Sequence, residues 1–185
     1  MSDSDKKLMT YRTEGNPAPG ELLLVHGFLN TWSSELGIED LSTPHEAETW
    51  LRSAGLWRGK QRLNTDGHHQ VLEYRELIRS CVRHQDQMWQ LSKAVVHIKY
   101  QLDLVDARLQ LVPKSKVECD NMLGRLSAII YNSIIDGTWV RFKCCDLPTC
   151  GWAYYDKTRS RTKRWCSMKT CGSRHKAREY YRRIR

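Results

Sequence analysis

The sequence predicts an α+β protein in two parts: a mainly helical first part with one β-hairpin, then a small basic module rich in cysteine. Apolar residues recur at helical spacing in several segments before residue 137, and one segment near residue 100 alternates with period two. Five of the seven cysteines follow residue 143. The 185 residues suffice for one domain with a core plus a small second module. We therefore predict domains over residues 1–138 and 139–185.

The first domain is predicted to contain four helices. The second of them has the clearest start, because Thr43 can serve as N-cap, Pro44 then takes the first helical position, and Glu46 completes a capping box. Gly55 is a typical C-terminal stop for this helix. The other three helices are expected at about residues 21–32, 68–87 and 118–137, the last beginning with a second possible capping box, Ser115 with Glu118.

A strand is predicted where apolar and polar residues alternate strictly. Alternation places every second side chain on the same face of a strand, so we expect one buried face. The alternation resumes a few residues later, which favours a β-hairpin. The apolar positions are Ile98, Tyr100, Leu102, Leu104, Leu109 and Leu111.

Several functional classes are disfavoured by what the sequence lacks. No apolar run is long enough to span a membrane, and residues 1–10 lack the apolar segment of a signal peptide. A cytoplasmic protein is the expectation, and reduced cysteines there are read first as metal ligands. We expect no enzyme, because no phosphate-binding glycine loop, nucleophile elbow or paired carboxylates are evident. His68, His69, Glu73 and His84 could suggest a metal or acid–base site, but their spacing is poor evidence for one, and the His68–His69 pair beside a helix start is interpreted as solvated.

The cysteine pattern predicts one structural zinc ion. Cys145 and Cys150 form one short-spaced pair, and Cys166 and Cys171 form a second one after fifteen intervening residues. Four thiolates suit tetrahedral Zn²⁺ and leave no open position for catalysis. Cys144 is not expected to bind, because adjacent side chains in a strand point to opposite faces.

The aromatic residues around these cysteines are expected to form a small core for the module, since a 45-residue segment this basic has little else to bury. Trp152, Tyr154 and Trp165 are assigned to that core. Tyr155 alternates with Tyr154 and could be exposed.

The basic charge is concentrated at the C-terminal end. Residues 141–185 hold 14 of the 30 Lys and Arg residues but 3 of the 21 Asp and Glu residues. Such a block beside a near-neutral domain favours binding to a polyanion, and arginine matches phosphate groups and guanine edges. A C-terminal helix is expected to carry a stripe of arginines, after a basic loop. The candidate nucleic-acid-binding residues are Arg159, Arg161, Lys163, Arg164, Arg174, Lys176, Arg178, Arg182, Arg183 and Arg185.

The C-terminal segment resembles the CGNR zinc finger, and the upstream part resembles its partner, the ABATE domain. This likeness implies a treble-clef finger that binds DNA, a first domain that senses an unknown ligand, and a bacterial, stress-linked transcription regulator. Ser173 stands where the family has Asn, and Thr158 where it usually has Ser. The likeness is carried by Cys145-x4-Cys150-Gly-Trp152, Trp165-Cys-Ser-Met-x-x-Cys171-Gly172, Leu29-Asn-Thr, Trp50-Leu-x-x-x-Gly55 and Tyr74-Arg-Glu-Leu.

Two alternatives remain open at this point. The finger could instead be an adaptor for RNA or for a protein, because a fold does not fix a function. Asn30 and Arg75, which match positions of the upstream motifs, could line a ligand pocket, or they could hydrogen-bond helix ends and pair with a nearby acid.

Overall fold

The structure is a computed structural model that describes residues 16–105 and 107–184. It confirms a mixed fold of helices and short antiparallel hairpins. The helices are α1 Leu22–Leu29, α2 Pro44–Ser53, α3 Thr65–Arg83, α4 Trp89–Val95, α5 Glu118–Ile135 and α6 Ser173–Arg183. The strands are β1 Trp32–Ser33, β2 Ile38–Glu39, β3 Tyr100–Val105, β4 Arg108–Pro113, β5 Phe142–Cys144 and β6 Ala153–Tyr155. The strands pair as β1–β2, β3–β4 and β5–β6, so the sheets are three separate two-stranded hairpins.

The start of α2 is the predicted capping box. The Thr43 hydroxyl accepts a hydrogen bond from the Glu46 backbone N–H at 3.2 Å, and the Glu46 carboxylate accepts one from the Thr43 N–H at 3.1 Å. Helix α3 begins three residues before the prediction, because the Asn64 side chain caps it by accepting from the Gly67 N–H at 2.9 Å.

The second predicted capping box does not form. Val117 precedes α5 as its N-cap without a side-chain hydrogen bond. Glu118 instead accepts from the Arg58 N–H at 2.7 Å, and the Ser115 hydroxyl lies 2.8 Å from the Asp120 carboxylate. Tertiary and local contacts therefore take up the side chains that the motif would have used.

The core lies where α1 packs against α3 and α5. The apolar faces of these helices meet there, as their helical periodicity predicts. Helix α5 ends before Gly137, whose positive φ of 68° suits a residue without a side chain. The largest fully buried side chains include Val25, Phe28, Leu29, Leu51, Ile78, Met122 and Leu126. No helix within the described residues is both long enough and apolar enough to cross a bilayer.

The β3–β4 hairpin forms as predicted, but its apolar face is not buried along its length. Ile98 is buried just before β3, whereas Leu102, Leu104 and Leu109 are 65–72% exposed. The hairpin packs on α5 through β4, and a Cβ at Gly124 of that helix would lie 2.6 Å from Pro113. The alternation thus predicted the strands correctly and the buried face incorrectly, because Leu102, Leu104 and Leu109 remain open to solvent.

The β5–β6 hairpin is part of the main core. Two of the predicted zinc ligands, Cys145 and Cys150, lie in the connection between its strands. Phe142 pairs with Tyr155 and Cys144 with Ala153, and all four side chains are buried in the same cluster as α1 and α3. Tyr155, whose exposure the sequence left open, is therefore buried, since it faces the first domain. The boundary at residue 138 separates the helical segment from the hairpin in sequence, while one continuous core spans it.

Buried polar groups also join the hairpin to the first domain. The Asn30 carboxamide accepts from the Ala153 N–H at 2.8 Å and donates to its carbonyl at 3.1 Å. His26 Nε2 donates to the same carbonyl at 2.9 Å, while its Nδ1 accepts from the Ala18 N–H at 3.2 Å. Burial lowers the pKa of His26 to about 4, so the imidazole is neutral near pH 7, as this pattern of bonds requires.

Replacement of Phe142 tests whether hairpin and helices unfold together. Phe142→Ala should lower the free energy of unfolding by about 3–5 kcal/mol, because it leaves a cavity in the shared core. Val140→Ala, at a 42% exposed neighbour, should change it by about 0.5 kcal/mol. Denaturant unfolding followed by far-UV circular dichroism measures both. A variant whose helices keep their wild-type stability while the hairpin melts separately would contradict the shared core.

Candidate metal centre and basic surface

Four cysteine sulfurs converge at the C-terminal end of the chain. The Sγ atoms of Cys145, Cys150, Cys166 and Cys171 all lie within 4.8 Å of one another. Cys150 and Cys166 are 3.8 Å apart, and Cys166 and Cys171 are 3.6 Å apart. A tetrahedron with Zn–S bonds of about 2.3 Å has S···S edges of about 3.8 Å. These residues are thus positioned to hold one zinc ion, as predicted.

Each ligand comes from a defined local structure. Cys145 follows β5 directly and donates its N–H to the Trp152 carbonyl at 2.8 Å. Cys150 ends the turn before β6, with its N–H bonded to Leu147. Cys171 lies in a π-helical turn, Met168–Gly172, that the Ser167 side chain caps and that leads into α6. Cys144 points the other way into the main core, which confirms that Cys145 is the ligand of the adjacent pair.

The module has a small apolar core of its own around the sulfurs. Leu147 and Tyr154 are buried against the cysteines, and Trp152 and Trp165 pack around them half-buried. The expected aromatic core is therefore present. It excludes water from three of the four ligands, since Cys166 alone is half-buried.

Zinc binding requires that all four cysteines of the cluster lose their protons. Proton sharing with Cys145 raises the pKa of Cys150 and of Cys166, and burial raises that of Cys171. A bound divalent cation favours the thiolate form of each cysteine, so it counteracts these raised pKa values and binds the deprotonated sulfurs. Closed tetrathiolate zinc supplies structural stability here, with no vacant position for a substrate.

Gly151 allows the turn that carries Cys150, which we call the knuckle, to approach the first domain. Its φ is +66°, a conformation that glycine adopts without strain. A Cβ there would lie 3.0 Å from the Trp32 ring. Arg79, buried beside this ring at 5.0 Å, donates to the Gly151 carbonyl and to the Leu29 carbonyl, both at 2.6 Å. The glycine thus fits the backbone against the first domain rather than against the metal.

Glu35 in the β1–β2 loop connects the first domain to the last ligand. Its carboxylate lies 3.8 Å from the Cys171 sulfur and pairs with the Arg174 guanidinium. No local pattern in the sequence indicates this contact, because Glu35 and Arg174 are 139 residues apart.

The basic loop before Cys166 is organised by one buried acid. The Asp156 carboxylate accepts from the Lys143 ammonium at 2.8 Å, from the Thr158 hydroxyl at 2.6 Å and from the Lys163 N–H at 3.0 Å. Burial alone would raise the pKa of Asp156, but these bonds outweigh it and lower the pKa. The loop is therefore held from inside while Arg159 and Arg161 remain exposed. The hydroxyl of Thr158 also meets the requirement that Ser would meet.

Helix α6 forms from Ser173 and carries the predicted arginine stripe. None of its described residues is buried. Arg174, Arg178 and Arg182 recur every four residues and so share one face. Arg174 pairs with Glu35, and Arg182 with Glu179 at 2.8 Å. Lys176 and Arg183 are exposed on the remaining surface, whereas Arg185 lies outside the described residues.

The other candidate residues have partners inside the protein. Arg75 is buried and bonds both oxygens of Glu39 at 2.7 Å and the Thr31 hydroxyl at 3.0 Å. Asn30 is occupied by Ala153, as described above. These are the contacts of the structural interpretation of both residues, and their binding of a ligand stays a prediction. His68, also buried, bonds the Leu41 carbonyl at 2.7 Å, so its expected solvation was wrong.

Substitution of the adjacent cysteines separates ligand from neighbour. Cys145→Ser should reduce bound zinc well below one equivalent, because one of four thiolates is lost. Cys144→Ala should retain a full equivalent, because that sulfur faces the core. Elemental analysis of the purified proteins measures both. Equal metal content in the two variants would contradict the assignment.

Comparison with known proteins agrees with this geometry. Residues 141–184 match the family model described as CGNR zinc finger. The matched segment includes all four cysteines, the basic loop and α6. No curated protein matched the chain. Zinc fingers as a class bind metal and are frequent in nucleic-acid recognition, so the match and the cysteine geometry indicate these broad functions. Residues 141–184 of this chain thus match the CGNR zinc finger in sequence, and the convergence of the four cysteines fits that match.

Proposed function

We propose that the protein is a cytoplasmic DNA-binding transcription regulator, whose finger binds the duplex and whose first domain senses a ligand. The observation that carries DNA binding is the exposed basic surface formed by α6 and by the loop before Cys166. Both adjoin the four cysteines that are positioned to hold zinc. Among the described residues, Lys176 and Arg178 have no ion-pair partner, so their charges are available to phosphate groups. We assign no catalytic step to the protein.

A role in binding single-stranded RNA is the second candidate. Tyr180 and Tyr181 on α6 are 62% and 63% exposed, beside the arginines. Aromatic rings and guanidinium planes in such positions stack on unpaired bases. A comparison of affinities for duplex DNA and single-stranded RNA decides between the two candidates.

Charge reversal on α6 tests nucleic-acid binding. The zinc-loaded protein should bind duplex DNA with a log–log salt slope of about −4 to −5, if about five phosphates are contacted. The variant Lys176→Glu/Arg178→Glu should weaken binding about tenfold or more at low salt. The control Lys114→Glu/Lys116→Glu reverses two exposed charges before α5, at the opposite end of that helix from the finger, and should leave binding unchanged. Fluorescence anisotropy with labelled duplex measures these affinities.

Two outcomes would count against DNA binding. The first is the absence of any binding to duplex at low salt by the zinc-loaded wild type. The second is an equal loss in both variants, which would indicate that only net charge matters.

An apolar cavity in the first domain supports ligand sensing. It has a volume of about 330 Å³ and lies between α4, the β3–β4 hairpin and α5. No charged side chain lines it, and its polar groups are hydroxyls, with Tyr74 bonded to Ser127 at 2.5 Å. Such a lining favours an uncharged, mainly apolar small molecule that can exchange a hydrogen bond with a hydroxyl.

A bulky residue at the edge of this cavity tests the ligand site. The neutral apolar dye Nile red should gain fluorescence on binding the wild type. Ser92→Trp should reduce this signal about tenfold, because exposed Ser92 lines the cavity and an indole would fill it. Lys93→Trp, at an exposed neighbour outside the lining, should retain the signal. Titration followed by fluorescence measures both, and equal signals would contradict a ligand site in this cavity.

A further inference from the structure

A polar cleft lies between the C-terminal end of α3 and the finger. We call it the junction cleft; its volume is about 790 Å³. The first domain contributes Arg83 and His84 to its lining, and the finger contributes Lys143, Lys163 and Arg164. Both parts of the protein therefore supply nitrogen donors to one concave surface beside the zinc knuckle.

The acids of the junction cleft do not neutralise it. Asp146 is its one acidic lining residue, and it pairs with Arg164 at 2.8 Å. The Lys143 ammonium forms an ion pair with the buried Asp156 carboxylate. Within residues 16–105 and 107–184, no carboxylate is bonded to Arg83. This leaves a guanidinium in the cleft without an acidic partner.

Arg83 differs in this respect from the arginines that precede it on the same helix. Arg75 and Arg79 are buried, and each is bonded to Glu76 at 3.1 Å as well as to other groups of the protein. Arg83 is exposed, and its Nη2 would lie 3.2 Å from a Cβ at Gly151. Its guanidinium thus lies beside the knuckle backbone.

The junction cleft is continuous with the basic surface of the finger. Lys163 and Arg164 belong both to the cleft and to the loop that Asp156 organises. The bonds of Asn30 and Arg79 across the junction fix the two walls relative to each other. An extended polyanion that lies along the loop would therefore reach the cleft without a change in domain arrangement.

We propose that the junction cleft holds a backbone phosphate of the nucleic acid that the finger binds, with Arg83 as its principal contact and His84 as a further donor. This inference rests on the proposed function, since it assumes that the finger binds a duplex. The first domain then forms part of the interface rather than a distant sensor. A phosphate contact positions the duplex and is independent of base sequence.

The salt dependence of binding tests the proposal. Arg83→Ala should reduce the log–log salt slope by about one and weaken binding about fivefold at low salt, equally for duplexes of different sequence. His84→Ala should weaken binding less. Lys116→Ala, an exposed single-charge control on the first domain, should change neither quantity. Anisotropy at four or more salt concentrations gives the slopes, and elemental analysis gives the metal content.

The possible failures are distinguishable. If the wild type binds no duplex, the proposed function fails and this inference with it. If the wild type binds but Arg83→Ala keeps full zinc, the wild-type slope and the wild-type affinity, the inference alone is overturned. Loss of zinc from Arg83→Ala would also overturn it, because the arginine would then serve the fold of the knuckle.

Discussion

The β5–β6 hairpin is shared by two clusters that face opposite sides of it. Phe142 and Cys144 face the helical core, and the next residue, Cys145, faces the metal. Since side chains alternate along a strand, a register shift of one residue would place a core side chain at the metal and a ligand in the core. The metal centre and the helical domain therefore fix each other's geometry. The buried carbonyl of Ala153 accepts hydrogen bonds from His26 in α1 and from Asn30, which directly follows this helix. These bonds leave the hairpin little freedom to move.

The arginines of this protein fall into two groups with different physical roles. Inside, Arg75 and Arg79 are buried with carboxylates and backbone carbonyls as partners, because a desolvated charge is tolerable only when it is paired. On the surface, arginines such as Arg178 are exposed on α6, a helix that buries none of its described residues. A short helix of this kind gains little from packing, so its attachment to the metal-bound turn stabilises it. Arginine thus stabilises the packing in the interior and supplies exposed positive charge on α6.

Local rules were sufficient for several features. The capping box of Thr43 and Glu46 depends on four consecutive residues, and it formed as predicted. The ligand set followed from the spacing of the cysteines, and the choice of Cys145 over Cys144 followed from strand alternation. The helix of the arginine stripe also formed where the sequence placed it. Each of these conclusions rests on geometry within a few residues, which the chain carries wherever it is placed.

Other features depended on contacts between distant parts of the chain. Leu104 belongs to an alternating pattern, yet it is 72% exposed, because burial of a strand face requires a neighbouring element that covers it. Tyr155 is buried because the first domain covers that face of the finger. The pairing of Glu35 with Arg174 and the unneutralised position of Arg83 beside the knuckle arise only when the two parts pack. The sequence by itself determined the four longer helices before residue 137, the β3–β4 hairpin, the metal ligands and the sign of the charge, but neither α4 nor the short β1–β2 hairpin. Tertiary packing decided which faces are buried and which charges are neutralised, because burial depends on neighbours that are remote in sequence.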